Sequence, residues 1–176
     1  MTEEMKINNS ILRVSKDDIT MLEVDCFVYY AQSNLKLGSG FGGAITLRGG
    51  QSIQKELDSM DPINVTQAVI TEAGNLKAKR IIHANGPKFQ EEDLERKLSD
   101  TILNVLKLAD KEGLETIAFP PMGTGFYGIP LDVSASVTLK TIKDYLNGQT
   151  GIKEVTLSVI DRREFEPYHN RLLALS

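Results

Sequence analysis

Short apolar runs alternate along this chain with longer stretches in which apolar residues recur every three or four positions. The short runs are rich in β-branched and aromatic residues and bounded by turn formers. They predict strands over Ile7–Val14, Asp25–Tyr30, Gln67–Ala73, Arg80–Ala84, Thr116–Phe119 and Glu154–Ile160. Leu94, Leu98, Ile102, Val105, Leu106 and Ala109 share one face and predict a helix over Leu94–Lys111, stopped by Gly113. The stripe Ala135, Leu139, Ile142 and Leu146 predicts another over Leu131–Leu146, with Pro130 and Asp132 at its start and Asn147-Gly148 at its end. A helical region over Gly43–Met60 is expected to break at Gly49-Gly50, since each glycine weakens a helix interior by roughly 1 kcal/mol. A short helix is expected over Glu164–Leu173. Strands joined by helical crossovers give an α/β fold, with a central mixed sheet covered on both faces, in one domain spanning residues 1–176.

Composition narrows the chemistry. With 176 residues, 41% hydrophobic and 25% charged, the chain has an ordinary globular make-up, and disorder is excluded. The balance of 20 basic to 24 acidic residues gives a net charge of −4, which disfavours nucleic acid as a partner. A small anion remains open, because backbone N–H groups hold phosphate without Lys or Arg. The single Cys26 excludes an internal disulfide and reads as a small buried hydrophobe. With only His83 and His169 besides, neither a metal nor a cofactor is expected. The opening MTEEMKINNS has no apolar signal core and no run approaches a membrane span, so the expected location is cytoplasmic.

Two glycine-rich segments carry the functional signal. Leu37-Gly38-Ser39-Gly40-Phe41-Gly42-Gly43-Ala44-Ile45 follows the strand ending near Tyr30. Pro120-Pro121-Met122-Gly123-Thr124-Gly125-Phe126-Tyr127-Gly128-Ile129-Pro130 follows the strand ending at Phe119. Both lie at strand C-termini, where open α/β sheets bind ligands, and both lead into helices. Glycines let the backbone approach a ligand closely, and a helix N-terminus adds about half a positive charge. Neither segment is a Walker A loop or a Rossmann fingerprint. The pattern predicts a clamp for a phosphorylated small molecule, a diphosphate held between two turns.

In order and spacing these segments resemble the macrodomain family of ADP-ribose-binding α/β/α modules. The resemblance covers nearly the whole chain, through Asp18-Ile19-Thr20, Val24-Asp25, Gly38–Ile45, Thr71–Leu76, Ile82–Pro87, Ala118-Phe119-Pro120 and Gly123–Pro130. It implies a three-layer fold and a partner that is ADP-ribose or a similar adenine diphosphate, free or attached to protein. By the same resemblance, Asp18 accepts from the adenine amine while the Ile19 N–H donates to a ring nitrogen. The backbones of Gly40, Phe41, Gly42 and Gly43 line the distal ribose and diphosphate. Gly123, Thr124, Gly125, Phe126 and Tyr127 enclose the diphosphate from the other side. The Thr124 hydroxyl either donates to phosphate or only fixes its own turn. One of Phe126 and Tyr127 covers the ribose while the other packs inward.

The departures matter more than the matches. The family's Asn-Ala-Ala-Asn reads Tyr29-Tyr30-Ala31-Gln32 here, and the hydrolytic branch's Asp reads Gly42. Gln32 displaces its amide by a methylene, and Gly42 has no side chain to hold water. The aromatic that stacks on adenine in many members reads Ile160, with Arg162 or Arg163 as an alternative cover. His83, Lys88, Glu91 and Glu92 form no convincing base pair with a nucleophile, and His83 reads first as a core histidine. The expectation is therefore a reader of ADP-ribose without efficient hydrolysis. The alternative is an ADP-ribosyl or O-acetyl-ADP-ribose hydrolase in which the substrate's phosphate activates water and Gln32 or Asn34 orients it.

Overall fold

A computed structural model describes residues 2–176. A seven-stranded sheet in the order β1-β2-β7-β6-β3-β5-β4 forms its middle. In chain order these strands are β1 (Thr2–Ile7), β2 (Ser10–Lys16), β3 (Cys26–Tyr30), β4 (Ala68–Glu72), β5 (Arg80–Ala84), β6 (Thr116–Phe119) and β7 (Glu154–Val159). β2, β7, β6, β3 and β5 run parallel, while β1 and β4 pair antiparallel at the two edges. β3 is apolar throughout because it is buried on both faces. Cys26, Val28 and Tyr30 face a core built with α3 (Leu94–Lys111), α4 (Leu131–Leu146) and α5 (Arg162–Leu175). Phe27 and Tyr29 face a second core built with α1 (Gly40–Gly49) and α2 (Ser52–Asp58). The three-layer α/β/α arrangement expected from the sequence is the one observed.

The boundaries differ in three informative places. The single strand predicted over Ile7–Val14 is a hairpin: Ile7 pairs with Ser10 and the chain reverses at Asn8-Asn9. Asn8 takes the left-handed conformation at φ 52°, a state Asn tolerates, and its amide donates to the Asn147 carbonyl at 2.8 Å. The preceding Thr2–Lys6 is too polar to read as a strand, but as an edge strand it needs only one apolar side. The helix predicted from Gly43 begins instead at Gly40, so the glycines form its first turn, and it does break at Gly49-Gly50. The last helix runs over Arg162–Leu175, two residues longer at each end; its start is set by Asp161, which caps it by accepting from the Glu164 N–H at 3.0 Å.

The ladder between β3 and β6 is short. Cys26 pairs with Ile117 and Phe27 with Ala118; beyond them β3 follows β5 as far as Tyr30, while β6 follows β7 as far as Phe119. The sheet therefore parts at the C-terminal ends of these neighbours and leaves a crevice, as open α/β sheets do at their ligand sites.

His83 is fully buried, as its apolar strand predicts. Thr71 donates its one hydroxyl proton to the Glu72 carbonyl, so His83 Nε2–H donates to Thr71 Oγ1 at 3.0 Å and the Nδ1 lone pair has no partner among the described residues. Burial lowers its pKa from 6.5 to about 4. The unfolded chain takes up this proton near pH 6.5 and the folded chain only near pH 4, so stability falls as pH drops through that window. In urea titrations at pH 7 and pH 4.5, the acid-induced loss should be about 2–3 kcal/mol smaller in His83→Leu than in the parent.

Candidate functional site

The crevice is a cleft of about 970 Å³. It runs along α1 from the Gly40 end to Arg48, a span of about 12 Å at 1.5 Å per residue. Helix α1 opens without a cap: Ser39 occupies the capping position yet makes no side-chain cap bond. The N–H groups of Gly40, Phe41 and Gly42 therefore have no acceptor within the helix. Gly43 differs, because its N–H already donates to the Ser39 carbonyl at 3.2 Å. Across the cleft, Gly125–Tyr127 form a 3₁₀ turn whose first N–H groups are likewise unpaired within the turn. Gly123, Gly125 and Gly128 all have positive φ, and a Cβ on Gly123 would sit 2.3 Å from the Ile129 side chain. The positive φ values favour glycine at these positions, and a side chain at 123 would also have to displace Ile129.

Of the residues singled out from sequence, the cleft brings together Asp18, Ile19, Gln32, Gly40, Phe41, Gly123, Thr124, Phe126, Tyr127 and Ile160. Gly42, Gly43, Gly125 and Asn34 do not line it. Asn34 turns its carbonyl into its own loop, accepting from the Lys36 N–H at 3.0 Å. The Thr124 hydroxyl fixes its own turn through a long 3.4 Å bond to the Pro121 carbonyl. Tyr127 packs on Tyr30 with ring centroids 4.9 Å apart, while Phe126 is 92% exposed at the cleft mouth. Phe41 leans on Tyr29 and Phe27 and leaves the cleft open.

At the other end, Asp18 heads a 3₁₀ turn over Ile19–Met21. Its Oδ1 accepts from the Thr20 N–H at 3.0 Å and the Thr20 hydroxyl at 2.7 Å. Its Oδ2 accepts from Arg48 at 2.6 Å, and the same guanidinium donates to the Thr20 hydroxyl. The Thr20 hydroxyl first, and Arg48 after it, hold the Asp18 carboxyl below the usual carboxylate range. Arg48 is the cleft residue most readily missed from sequence, although a signal was present: Gly40, Ala44 and Arg48 fall at four-residue spacing on one face of α1. Lys16, Ser158 and Glu164 also line this end; the Glu164 carboxylate accepts from the Ile160 N–H at 2.9 Å.

The carboxylates lining the cleft among the described residues are Asp17, Asp18 and Glu164, none of them from the segment between Tyr29 and Phe41. Burial pushes the Tyr29 hydroxyl up to about 12, and those of Tyr30 and Tyr127 upward as well. Cys26 is buried in the core with its thiol pushed up, outside the cleft. No cluster of three or more His, Cys, Asp or Glu side chains is placed to hold a metal among the described residues.

A family model described as Macro domain matches residues 28–138. The chain belongs to the macro domain family. A macro domain-containing protein of Caldanaerobacter subterraneus subsp. tengcongensis is 40% identical over 89% of this chain and 93% of its own length. A protein of Escherichia fergusonii named O-acetyl-ADP-ribose deacetylase is 36% identical over 93% of this chain and 96% of its own. The structure of an Oceanobacillus iheyensis macrodomain mutant with ADPR superposes with a TM-score of 0.95 at 27% identity, covering 99% of this chain and 98% of that one.

At Gly42, the position that the resemblance matches to the hydrolytic branch's Asp, there is no room for a side chain. A Cβ would lie 1.7 Å from the Leu37 carbonyl oxygen and 2.7 Å from the Tyr29 hydroxyl. Gly42→Ala should therefore destabilise the protein by about 1–3 kcal/mol or more, whereas Gly43→Ala, whose Cβ meets its nearest neighbour at 3.4 Å, should be near neutral. Urea unfolding of the two variants against the parent measures the difference.

Proposed function

We propose that this macro domain binds ADP-ribose, or a derivative of it, as a reader without efficient hydrolysis. The observation that carries the reading is the uncapped opening of α1 at Gly40-Phe41 together with the N–H groups left unpaired within the turn at Phe126-Tyr127, all four residues lining one cleft. Two groups of unpaired N–H donors, one of them backed by the dipole of α1, suit two linked phosphates. Asp18 retains a free lone pair on Oδ2 for the adenine amine, beside the Ile19 N–H for a ring nitrogen. Ile160, 66% exposed at the same end, offers an apolar surface to one face of the base. The ligand set proposed is Asp18, Ile19, Gln32, Gly40, Phe41, Gly123, Thr124, Phe126, Tyr127 and Ile160, with Gly42, Gly43 and Gly125 shaping the turns behind them. Residues 1–176 are proposed to act as one macro domain, in the cytoplasm.

The absence of hydrolysis rests on the filled space at Gly42 and on the segment from Tyr29 to Phe41 supplying no carboxylate to the cleft. The deacetylase name of the Escherichia fergusonii relative favours the second reading, a hydrolase. In that reading the substrate's own phosphate activates water and the Gln32 amide orients it.

Titration calorimetry should show saturable heat for ADP-ribose and ADP. Asp18→Ala should weaken both by about 1.5–3 kcal/mol, the range for a hydrogen bond to a charged group. A wild-type protein silent toward ADP-ribose at millimolar concentration rejects the reading. Incubation with O-acetyl-ADP-ribose and with mono-ADP-ribosylated protein, followed by mass spectrometry, should show no turnover. Turnover that disappears in Gln32→Ala establishes the hydrolase instead.

A further inference from the structure

Where the family pattern has amide and small residues, Tyr29 and Tyr30 put two aromatic side chains next to each other at the crevice. Consecutive residues of a strand point to opposite faces. Tyr29 and Tyr30 accordingly reach into different halves of the site.

Tyr29 donates its hydroxyl to the Leu37 carbonyl at 3.0 Å. The Leu37 N–H is held as well, by the Gln54 side chain at 2.9 Å, so both backbone groups of this residue are fixed by side chains three positions before α1 begins. The empty Cβ position of Gly42 is what admits this hydroxyl. Tyr30 serves the opposite turn. Its hydroxyl donates to the Pro87 carbonyl in the segment after β5, and two residues on the Phe89 N–H donates to the Tyr127 carbonyl at 2.9 Å, so the bond reaches the turn through that segment. The Tyr30 ring packs on Tyr127 directly, and Cβ atoms on Gly86 and Gly123 would lie 2.3 Å and 3.1 Å from its oxygen. Three glycines thus make space for two phenols, and each phenol anchors the approach to one of the two N–H clusters.

We propose that Tyr29 and Tyr30 are positioning residues that set the separation of the two phosphate-facing turns, and so make the site select ligands with two linked phosphates over those with one. The inference rests on the ADP-ribose reading. Both side chains spring from adjacent Cα atoms of the most buried strand, so the turns share one rigid reference. A ligand bearing a single phosphate engages one turn and is indifferent to the separation.

The test is calorimetry on the full chain and on Tyr29→Phe and Tyr30→Phe, with ADP-ribose, ADP and AMP, alongside thermal unfolding. Each variant should lose about five- to tenfold in affinity for ADP-ribose and ADP, the effect of one hydrogen bond, while affinity for AMP changes less than twofold. Parallel loss for ADP-ribose and AMP, or lower thermal stability with an unchanged ratio of the two affinities, overturns the proposal and leaves the reader function standing. A parent that binds no adenine nucleotide overturns the function and this inference together. Should Tyr30→Phe fail to fold, Tyr29→Phe decides alone.

Discussion

Asp25 ties the lower ends of β3 and β6 together. Its carboxylate accepts from the Glu115 N–H at 2.8 Å and the Thr116 N–H at 3.2 Å, and its own N–H donates to the Thr116 hydroxyl at 2.8 Å. Two residue pairs above this fastening the strands separate. A sheet closed below and parted above holds a crevice at a fixed place, with the segments that leave β3 and β6 on either lip. Those segments are the two glycine-rich turns. Their nearness in space follows from strand order alone, and no direct bond between them is required.

How far the sequence discloses this depends on the kind of signal each residue leaves. The long helices over Leu94–Lys111 and Leu131–Leu146 are observed within the predicted bounds, because their apolar stripes report burial directly. The β1–β2 hairpin was hidden, since an edge strand buries one side and Thr2–Lys6 offers little apolar pattern. The positions of the two turns were legible from their glycines, but the hydrogen bonds that close them were not. Nothing in local sequence tells that Ser39 leaves its helix uncapped, that Gly43 is already bonded, or that Asn34 turns inward. Arg48 stood in a readable spacing, yet its meaning depends on Asp18, 30 residues earlier, and only tertiary packing joins them.

The chemical character of the cleft is set by coupled replacements. Gly42 taken alone reads as the loss of a water-holding side chain. Beside Tyr29 it is the vacancy into which a phenol fits, and the loop around Leu37 is built on that fit. Restoring a carboxylate at position 42 would demand a different residue at position 29 and a different path for Leu37. At this corner of the fold a phenol and a turn are locked together by a structural contact.

The outer side of β1 carries a row of main-chain donors and acceptors with no neighbouring strand. Thr2, Glu4 and Lys6 are exposed along it, and charges of both signs stand on so short a segment. A second molecule adding its own strand there would have to strip water from those charges and match their signs. The composition that conceals β1 from pattern reading is thus the same one that discourages these sheets from joining end to end into fibrils.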